Sequence, residues 1–170
     1  MDEFEKRKQE LLQPIFFEAG AGLYDCQGFE YCVAYLLFLL SKLGVVGLDP
    51  ADTMAILEHE AKKTAGQLVA LLRQRFTLSD GIEEALADAL EARNELIHRY
   101  FTANVERLVE PANHASIVKE IRRLRSRVRR VQRLLDPLVK GLAEYFYGLD
   151  LQQLAHEAKS QILRKWWSDG

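Results

Sequence analysis

Residues 117–142 read IVKEIRRLRSRVRRVQRLLDPLVKGL, and their apolar members recur at spacings that alternate between four and three. This period is typical of a helix that packs lengthwise against a neighbouring helix. The apolar positions are Ile117, Ile121, Leu124, Val128, Val131, Leu135, Leu138 and Leu142. The pattern predicts one long helix that Pro137 bends and that ends at Gly148-Leu149-Asp150.

Helical periodicity also covers the chain before this stretch. A first helix is predicted from Asp2 to about Glu18, and Pro14 should kink or split it. The glycines in Gly20-Ala21-Gly22 should loosen the chain before a second helix, roughly Phe29 to Leu43. Because this second helix is apolar nearly all round, we expect it to be buried centrally or against another subunit.

Capping signals mark the middle of the chain. Asp49-Pro50 is a typical helix start, and it predicts one helix, or a short one plus a longer one, reaching about Arg75. Thr77–Asp80 offers caps for a further helix that continues to about Leu108. Glu110–Asn113 is the next predicted break, before the long helix.

Composition bounds the class of protein. The apolar fraction of 48% and charged fraction of 28% are those of a globular chain, and no linker or repeat divides it. We therefore predict a single all-α domain over residues 1–170, with a last amphipathic helix to about Trp167. The net charge of −2 excludes a global attraction to nucleic acid, so RNA binding would need a local basic patch.

Location is predicted from what the sequence lacks. The N-terminus has no basic segment followed by an apolar one, so no signal peptide is expected. The apolar run from Tyr31 to Leu40 is too short for a bilayer, which needs ~20 residues, so no membrane association is expected. Cys26 and Cys32 form neither a CxxC motif nor a disulfide framework. These features together predict a cytoplasmic protein.

One arginine breaks the helical pattern of residues 80–108. Arg93 falls near the middle of the apolar arc, where an unpaired guanidinium would be costly. Asn94 and His98 are four apart on the edge of the same arc. Histidine exchanges protons near neutral pH, and arginine is a bidentate donor to phosphate. These residues suit cleavage of RNA by its own 2′-OH, without a metal or other cofactor.

The residues alone leave a second interpretation open. Arg93 could pair with a buried carboxylate such as Glu60 or Glu18, and His98 could be a boundary histidine with satisfied hydrogen bonds. Motifs for other chemistry are incomplete: Glu95 and His98 have the Glu-x-x-His spacing of di-iron proteins, but a second copy is missing. No metal site is therefore predicted.

Residues 93–98, Arg-Asn-Glu-Leu-Ile-His, resemble the Arg-x4–6-His motif of the HEPN superfamily. His98-Arg99-Tyr100 resembles the His-x-Tyr extension of HEPN toxins that pair with a nucleotidyltransferase antitoxin. The resemblance implies an up-and-down bundle of five to six helices, with a HEPN-like core over residues 26–147 and extra terminal helices. It also implies a homodimer whose two motifs share a cleft.

The resemblance implies roles for single residues. Arg93 would bind and polarise the phosphate, His98 would act as general acid/base, and Asn94 would assist. Tyr100 would be the position to which an antitoxin attaches nucleotides. The protein would then be an endoribonuclease that acts as a toxin or in defence. Because some chains with this motif are non-catalytic scaffolds, a helical RNA- or protein-binding module remains the alternative.

A basic face flanks the apolar positions of the long helix. One interpretation makes it a track for RNA phosphates beside Arg93 and His98. The other makes it a solvated face neutralised by the acidic residues of the preceding helix, which are Glu83, Glu84, Asp88, Glu91 and Glu95. The predicted RNA-binding residues are Arg122, Arg123, Arg125, Arg127, Arg129 and Arg130.

Overall fold

Helices account for nearly all of residues 3–148, which are the residues that the computed structural model describes. No strand occurs in this range, which confirms the all-α prediction. A π-helical turn (Glu95–Arg99) follows α4, and a 3₁₀ turn (Pro111–Asn113) precedes α7. The α-helices are α1 (Glu3–Lys42), α2 (Pro50–Leu57), α3 (Ala65–Arg75), α4 (Asp80–Asn94), α5 (Tyr100–Ala103), α6 (Val105–Val109) and α7 (His114–Tyr147).

The three longest helices, α1, α4 and α7, alternate in direction. Helices α1 and α7 are parallel, because the residue numbers of their contacting positions rise together. Helices α4 and α7 are antiparallel. The contacts are Glu18 with Arg122 and Asp25 with Gln132 for the first pair. For the second pair they are Asp88 with Arg127 and, beyond the end of α4, Tyr100 of α5 with Glu120. Residues of these helices form the apolar core together with residues of α2 and α3.

The prediction of two separate helices before residue 43 is wrong, because α1 continues through both Pro14 and Gly20–Gly22. Gly22 is buried, and a Cβ there would lie only 2.5 Å from Cδ2 of Leu96. The glycine therefore permits close approach of the π-helical turn to α1, and tertiary packing outweighs its low helix propensity. The apolar part of α1 is buried centrally, as Phe29, Val33 and Leu37 show.

Capping predictions for α2 are confirmed. Asp49 accepts hydrogen bonds from the amides of Ala51 and Asp52, at 2.8 and 3.1 Å. Of the two alternatives up to Arg75, the structure has the short helix and the longer one. Between them His59 adopts a left-handed conformation with φ of 62°, which a histidine accommodates better than most side chains.

The buried stripe of α7 follows the prediction only as far as Leu135. Leu138 is 48% exposed, whereas Val139 and Ala143 are buried instead. A straight α-helix drifts by ~20° per heptad against a strict seven-residue repeat, so the buried face moves by one residue over three heptads. Gly148 ends α7 in the left-handed conformation with φ of 60°, as predicted.

Two glycines of α1 provide a matched test of this packing. We expect Gly22→Ala to lower the free energy of unfolding by about 1–3 kcal/mol, because its methyl group would overlap Leu96. Gly20→Ala should raise it by about 0.5–1 kcal/mol, since that position is open and alanine favours the helix. Urea unfolding measures both. Equal stability of the two variants would contradict the close approach.

Within residues 3–148, no helix combines the length and the apolar character needed to cross a bilayer. The predicted last helix to about Trp167 lies outside the described residues.

Candidate active site

The π-helical turn brings Arg93 and His98 together. In an uninterrupted α-helix, residues five apart point about 140° away from each other. Here the amide of Tyr100 donates to the carbonyl of Glu95, five residues earlier, which places residues with this spacing one above the other. As a result, Nη1 of Arg93 lies 2.8 Å from Nε2 of His98. The predicted regular helix to Leu108 is therefore wrong at the motif itself.

Arg93 is held in place by a carboxylate of α1. Its Nε donates to Oε1 of Glu30 at 2.9 Å, and its side chain is 17% exposed. Its Nη1 also donates to Oδ1 of Asn94 at 3.0 Å. Arg93 therefore does pair with a carboxylate, as the second interpretation allowed, but the partner is Glu30 rather than Glu60 or Glu18. Glu18 instead binds Arg122 and Arg125.

The contact with Arg93 sets the direction of the hydrogen bond at His98. A guanidinium has donors but no acceptor, so Nε2 of His98 is the accepting nitrogen in this contact. Both His98 and Asn94 are exposed, so a solvent-borne substrate can reach them. The site thus combines a permanent cation with an imidazole whose accepting nitrogen faces it.

Cys26 lies close enough to Arg93 for their charges to interact, yet it is a poor nucleophile. Burial raises the pKa of its thiol to about 11, and Arg93 opposes that rise only in part. A thiol with this pKa stays protonated at neutral pH, so the thiolate needed for nucleophilic attack is scarce. The chemistry of the site falls to Arg93 and His98.

Tyr100, the predicted modification position, is 4% exposed. Its hydroxyl donates to Oε2 of Glu120 at 2.8 Å, and Arg107 binds the same carboxylate. Burial and then the Glu120 carboxylate raise the pKa of Tyr100. The hydroxyl of Tyr100 therefore faces α7, whereas the guanidinium of Arg93 contacts Glu30 of α1.

The basic face of α7 is partly neutralised within the fold. Arg127 binds Asp88 and Glu91 of α4, which agrees with the neutralised interpretation for these two carboxylates. Glu83 and Glu95 pair elsewhere, with Arg73 and Arg99. The acidic helix therefore accounts for one of the predicted RNA-binding arginines.

Carboxylates of α1 neutralise two other predicted RNA-binding arginines of α7. Arg122 and Arg125 both bind Glu18, and Arg125 also binds Asp25 at 2.8 Å. Sequence reasoning missed these partners, although Glu18 and Asp25 are seven apart and hence share a face of one continuous helix. The break predicted at Gly20–Gly22 concealed that shared face.

The remaining predicted RNA-binding positions stay open to solvent. Arg129 reaches Asp25 only at 3.9 Å. Arg123 and Arg130 are exposed and form no salt bridge with any residue of the described part of the chain. Of the predicted RNA-binding arginines, these three lack a close carboxylate partner among the described residues.

Known proteins add nothing to the geometry. No protein-family model, curated protein or solved structure matches this chain. Among residues 3–148, no group of three or more histidines, cysteines or carboxylates is placed to hold a metal ion.

Proposed function

We propose that this protein is an endoribonuclease that cleaves RNA by 2′-OH attack, without a metal ion. The observation that carries the proposal is the 2.8 Å contact between Nη1 of Arg93 and Nε2 of His98. The two groups are those that the HEPN resemblance makes the reacting pair. An anion donor and a proton acceptor at one exposed edge are what attack by an internal hydroxyl needs.

Arg93 has a second role as a switch for His98. When a phosphodiester enters, an oxygen of the phosphate competes for Nη1 of Arg93, which Glu30 keeps in place through Nε. Loss of the Arg93 contact frees the lone pair on Nε2 of His98. His98 then accepts the proton of the 2′-OH while the 2′-oxygen bonds to phosphorus and the 5′-oxygen departs. The products are a 2′,3′-cyclic phosphate and a 5′-hydroxyl.

The departing 5′-oxygen needs a proton while His98 is accepting one. In a homodimer in which two copies of the motif share a cleft, as the HEPN resemblance implies, the second imidazole would donate this proton from its imidazolium form. Asn94 would orient the guanidinium, because its Oδ1 already accepts from Nη1 of Arg93. In the cell such an enzyme would act in the cytoplasm as a toxin, with a nucleotidyltransferase antitoxin, or in defence.

Cleavage in excess EDTA tests the proposal. We expect wild-type protein to cut single-stranded RNA with undiminished rate when divalent metals are chelated, and to leave 2′,3′-cyclic phosphate ends. Mass spectrometry of the fragments distinguishes these ends from linear phosphates. A requirement for added metal, or fragments with 5′-phosphate and 3′-hydroxyl ends, would contradict the proposed chemistry.

A non-catalytic RNA-binding module is the second candidate, and the exposed Arg123 and Arg130 favour it. Such a module would bind RNA in a salt-dependent manner without forming products. Its affinity would fall in Arg123→Gln and Arg130→Gln variants and would not change in His98→Ala. Formation of cleavage products by the wild type decides between the two candidates.

A further inference from the structure

A cleft of about 680 Å³ lies between the outer face of α1 and the segment that links α2 to α3. Tyr24, Glu30 and Tyr31 line it from α1, and His59, Lys62 and Lys63 line it from the linking segment. The cleft is large enough for a nucleotide-sized ligand. Neither the motif nor the basic helix includes these linking residues, so the proposed reaction leaves them without a role.

Glu30 joins this cleft to the candidate active site. Its carboxylate lines the cleft and also accepts the hydrogen bond from Nε of Arg93 at 2.9 Å. A polynucleotide whose phosphate lies at Arg93 therefore has this cleft as its neighbouring surface along α1. The ion pair also neutralises Glu30, which would otherwise repel a phosphate there.

Two tyrosines give the cleft surfaces on which bases can stack. Tyr24 is 76% exposed and Tyr31 is 54% exposed. They are seven residues apart on one face of α1, so two helical turns, ~10 Å, separate them. The ring of Tyr31 also stacks on Tyr35, with centroids 6.0 Å apart and planes 17° apart, which restrains its orientation. Exposed rings of this kind bind unpaired bases with little sequence preference.

The opposite wall is cationic. Lys62 and Lys63 are exposed and form no salt bridge within residues 3–148. Glu58 and Glu60 of the same segment do not line the cleft. The left-handed turn at His59 brings its imidazole to the same wall. Aromatic rings facing lysines match the bases and the backbone of a single strand.

We infer that this cleft is the subsite for the unpaired nucleotides next to the cleaved bond. Bases would stack on Tyr24 and Tyr31, and backbone phosphates would contact Lys62 and Lys63. This inference rests on the proposed function, because it takes the ligand to be the RNA that reaches Arg93. It makes the enzyme specific for single-stranded RNA, whose bases are free to stack.

Binding of a fluorescein-labelled 12-nucleotide RNA, followed by anisotropy in the full-length His98→Ala variant, tests the inference. Adding Tyr24→Ala and Tyr31→Ala should raise Kd at least tenfold, since stacking contributes strongly per base. Tyr24→Phe with Tyr31→Phe should stay within about threefold, because a phenyl ring still stacks. Tyr145→Ala is the matched control, since Tyr145 is as exposed as Tyr24 but lies on α7, and it should leave Kd unchanged.

Salt dependence tests the cationic wall. Lys62→Gln with Lys63→Gln should reduce the slope of log affinity against log salt by about 1.4, which is ~0.7 for each phosphate contact on a single strand. The inference would be overturned if the double alanine variant bound RNA as tightly as its parent, or if the alanine and phenylalanine variants lost affinity equally. Absence of RNA binding at low salt would also overturn it.

The outcomes separate this inference from the proposed function. If the wild type cleaves RNA but the double alanine variant has unchanged Kd, the proposed function stands and the subsite is wrong. If the wild type forms no products but the alanine variant binds RNA tenfold more weakly, the cleft binds single-stranded RNA as inferred and the proposed catalysis is wrong. Thermal melting of each variant should match the parent, since the substituted side chains are exposed.

Discussion

His98→Ala is expected to lower the rate constant of RNA cleavage by about 10²- to 10⁴-fold, which is the usual contribution of a positioned general acid or base. In the proposed reaction Nε2 of His98, which contacts Arg93 in the structure, accepts the proton of the 2′-hydroxyl, and alanine supplies no substitute. Because the imidazole is exposed, its loss should leave the thermal unfolding midpoint within a few degrees of wild type. Single-turnover cleavage of a labelled RNA measures the rate.

Arg99→Ala is the matched control for this substitution. Arg99 is a basic residue of the same π-helical turn, and its side chain is 60% exposed. It forms its salt bridge with Glu95 and not with Arg93 or His98. We expect Arg99→Ala to cleave RNA within about threefold of the wild-type rate, since an exposed ion pair contributes little to stability. Equal rates for wild type and His98→Ala would remove the histidine from the reaction.

Arg125→Met is expected to lower the free energy of unfolding by about 3–5 kcal/mol, because it leaves the Asp25 carboxylate without its close partner and removes one of the two arginines that bind Glu18. Arg125 binds both Glu18 and Asp25, whose side chains are 4% and 11% exposed. Methionine preserves most of the volume, so the loss reports charge rather than packing. Urea unfolding measures it.

Arg123→Met provides the comparison on the same helix. Arg123 is exposed and forms no salt bridge with a described residue, so its replacement should change stability by less than ~0.5 kcal/mol. Equal stability of the two variants would show that the Glu18–Arg125–Asp25 cluster does not hold α1 against α7. Arg123 and Arg125, which were both predicted to contact RNA, are therefore expected to differ in their contribution to stability.

Acid should reduce the difference in stability between wild type and Arg125→Met. Burial raises the pKa of Glu18, but hydrogen bonds and charge from Arg122 and Arg125 outweigh it and leave the pKa below its ordinary 4.5. A lowered folded-state pKa stabilises the fold above the unfolded pKa, and that stabilisation is lost as pH falls through the folded pKa. The stability gap between wild type and Arg125→Met should therefore be full near pH 7 and shrink below pH 4.5. A constant gap across this range would exclude Glu18 ionisation as its cause.

The sequence predicts helix existence well because helices are local. Caps such as Asp49-Pro50 and the stripe from Ile117 to Leu135 were sufficient to locate α2 and α7. Gly22 misled the prediction because glycine breaks helices by propensity, whereas here it is required by the nearness of Leu96. Such a close approach between distant segments leaves no local signal.

In the candidate site, too, the sequence predicts the residue types but not the features that depend on tertiary packing. Arg93, Asn94 and His98 were recognisable from their residue types and from the broken apolar pattern. The π-helical turn was not, since an extra residue in one helical turn does not alter composition. The Glu30 partner was missed for a similar reason, because its choice over Glu60 and Glu18 depends on how α1 and α4 cross.

A double-mutant cycle on cleavage rate tests the central claim, that Arg93 and His98 act as one unit. The four proteins are wild type, Arg93→Ala, His98→Ala and the double variant, assayed on one RNA in EDTA under single-turnover conditions. We predict that each single substitution costs at least 10²-fold and that the double variant is no slower than the slower single variant. Losses that multiply, or single variants that cleave at the wild-type rate, would contradict it.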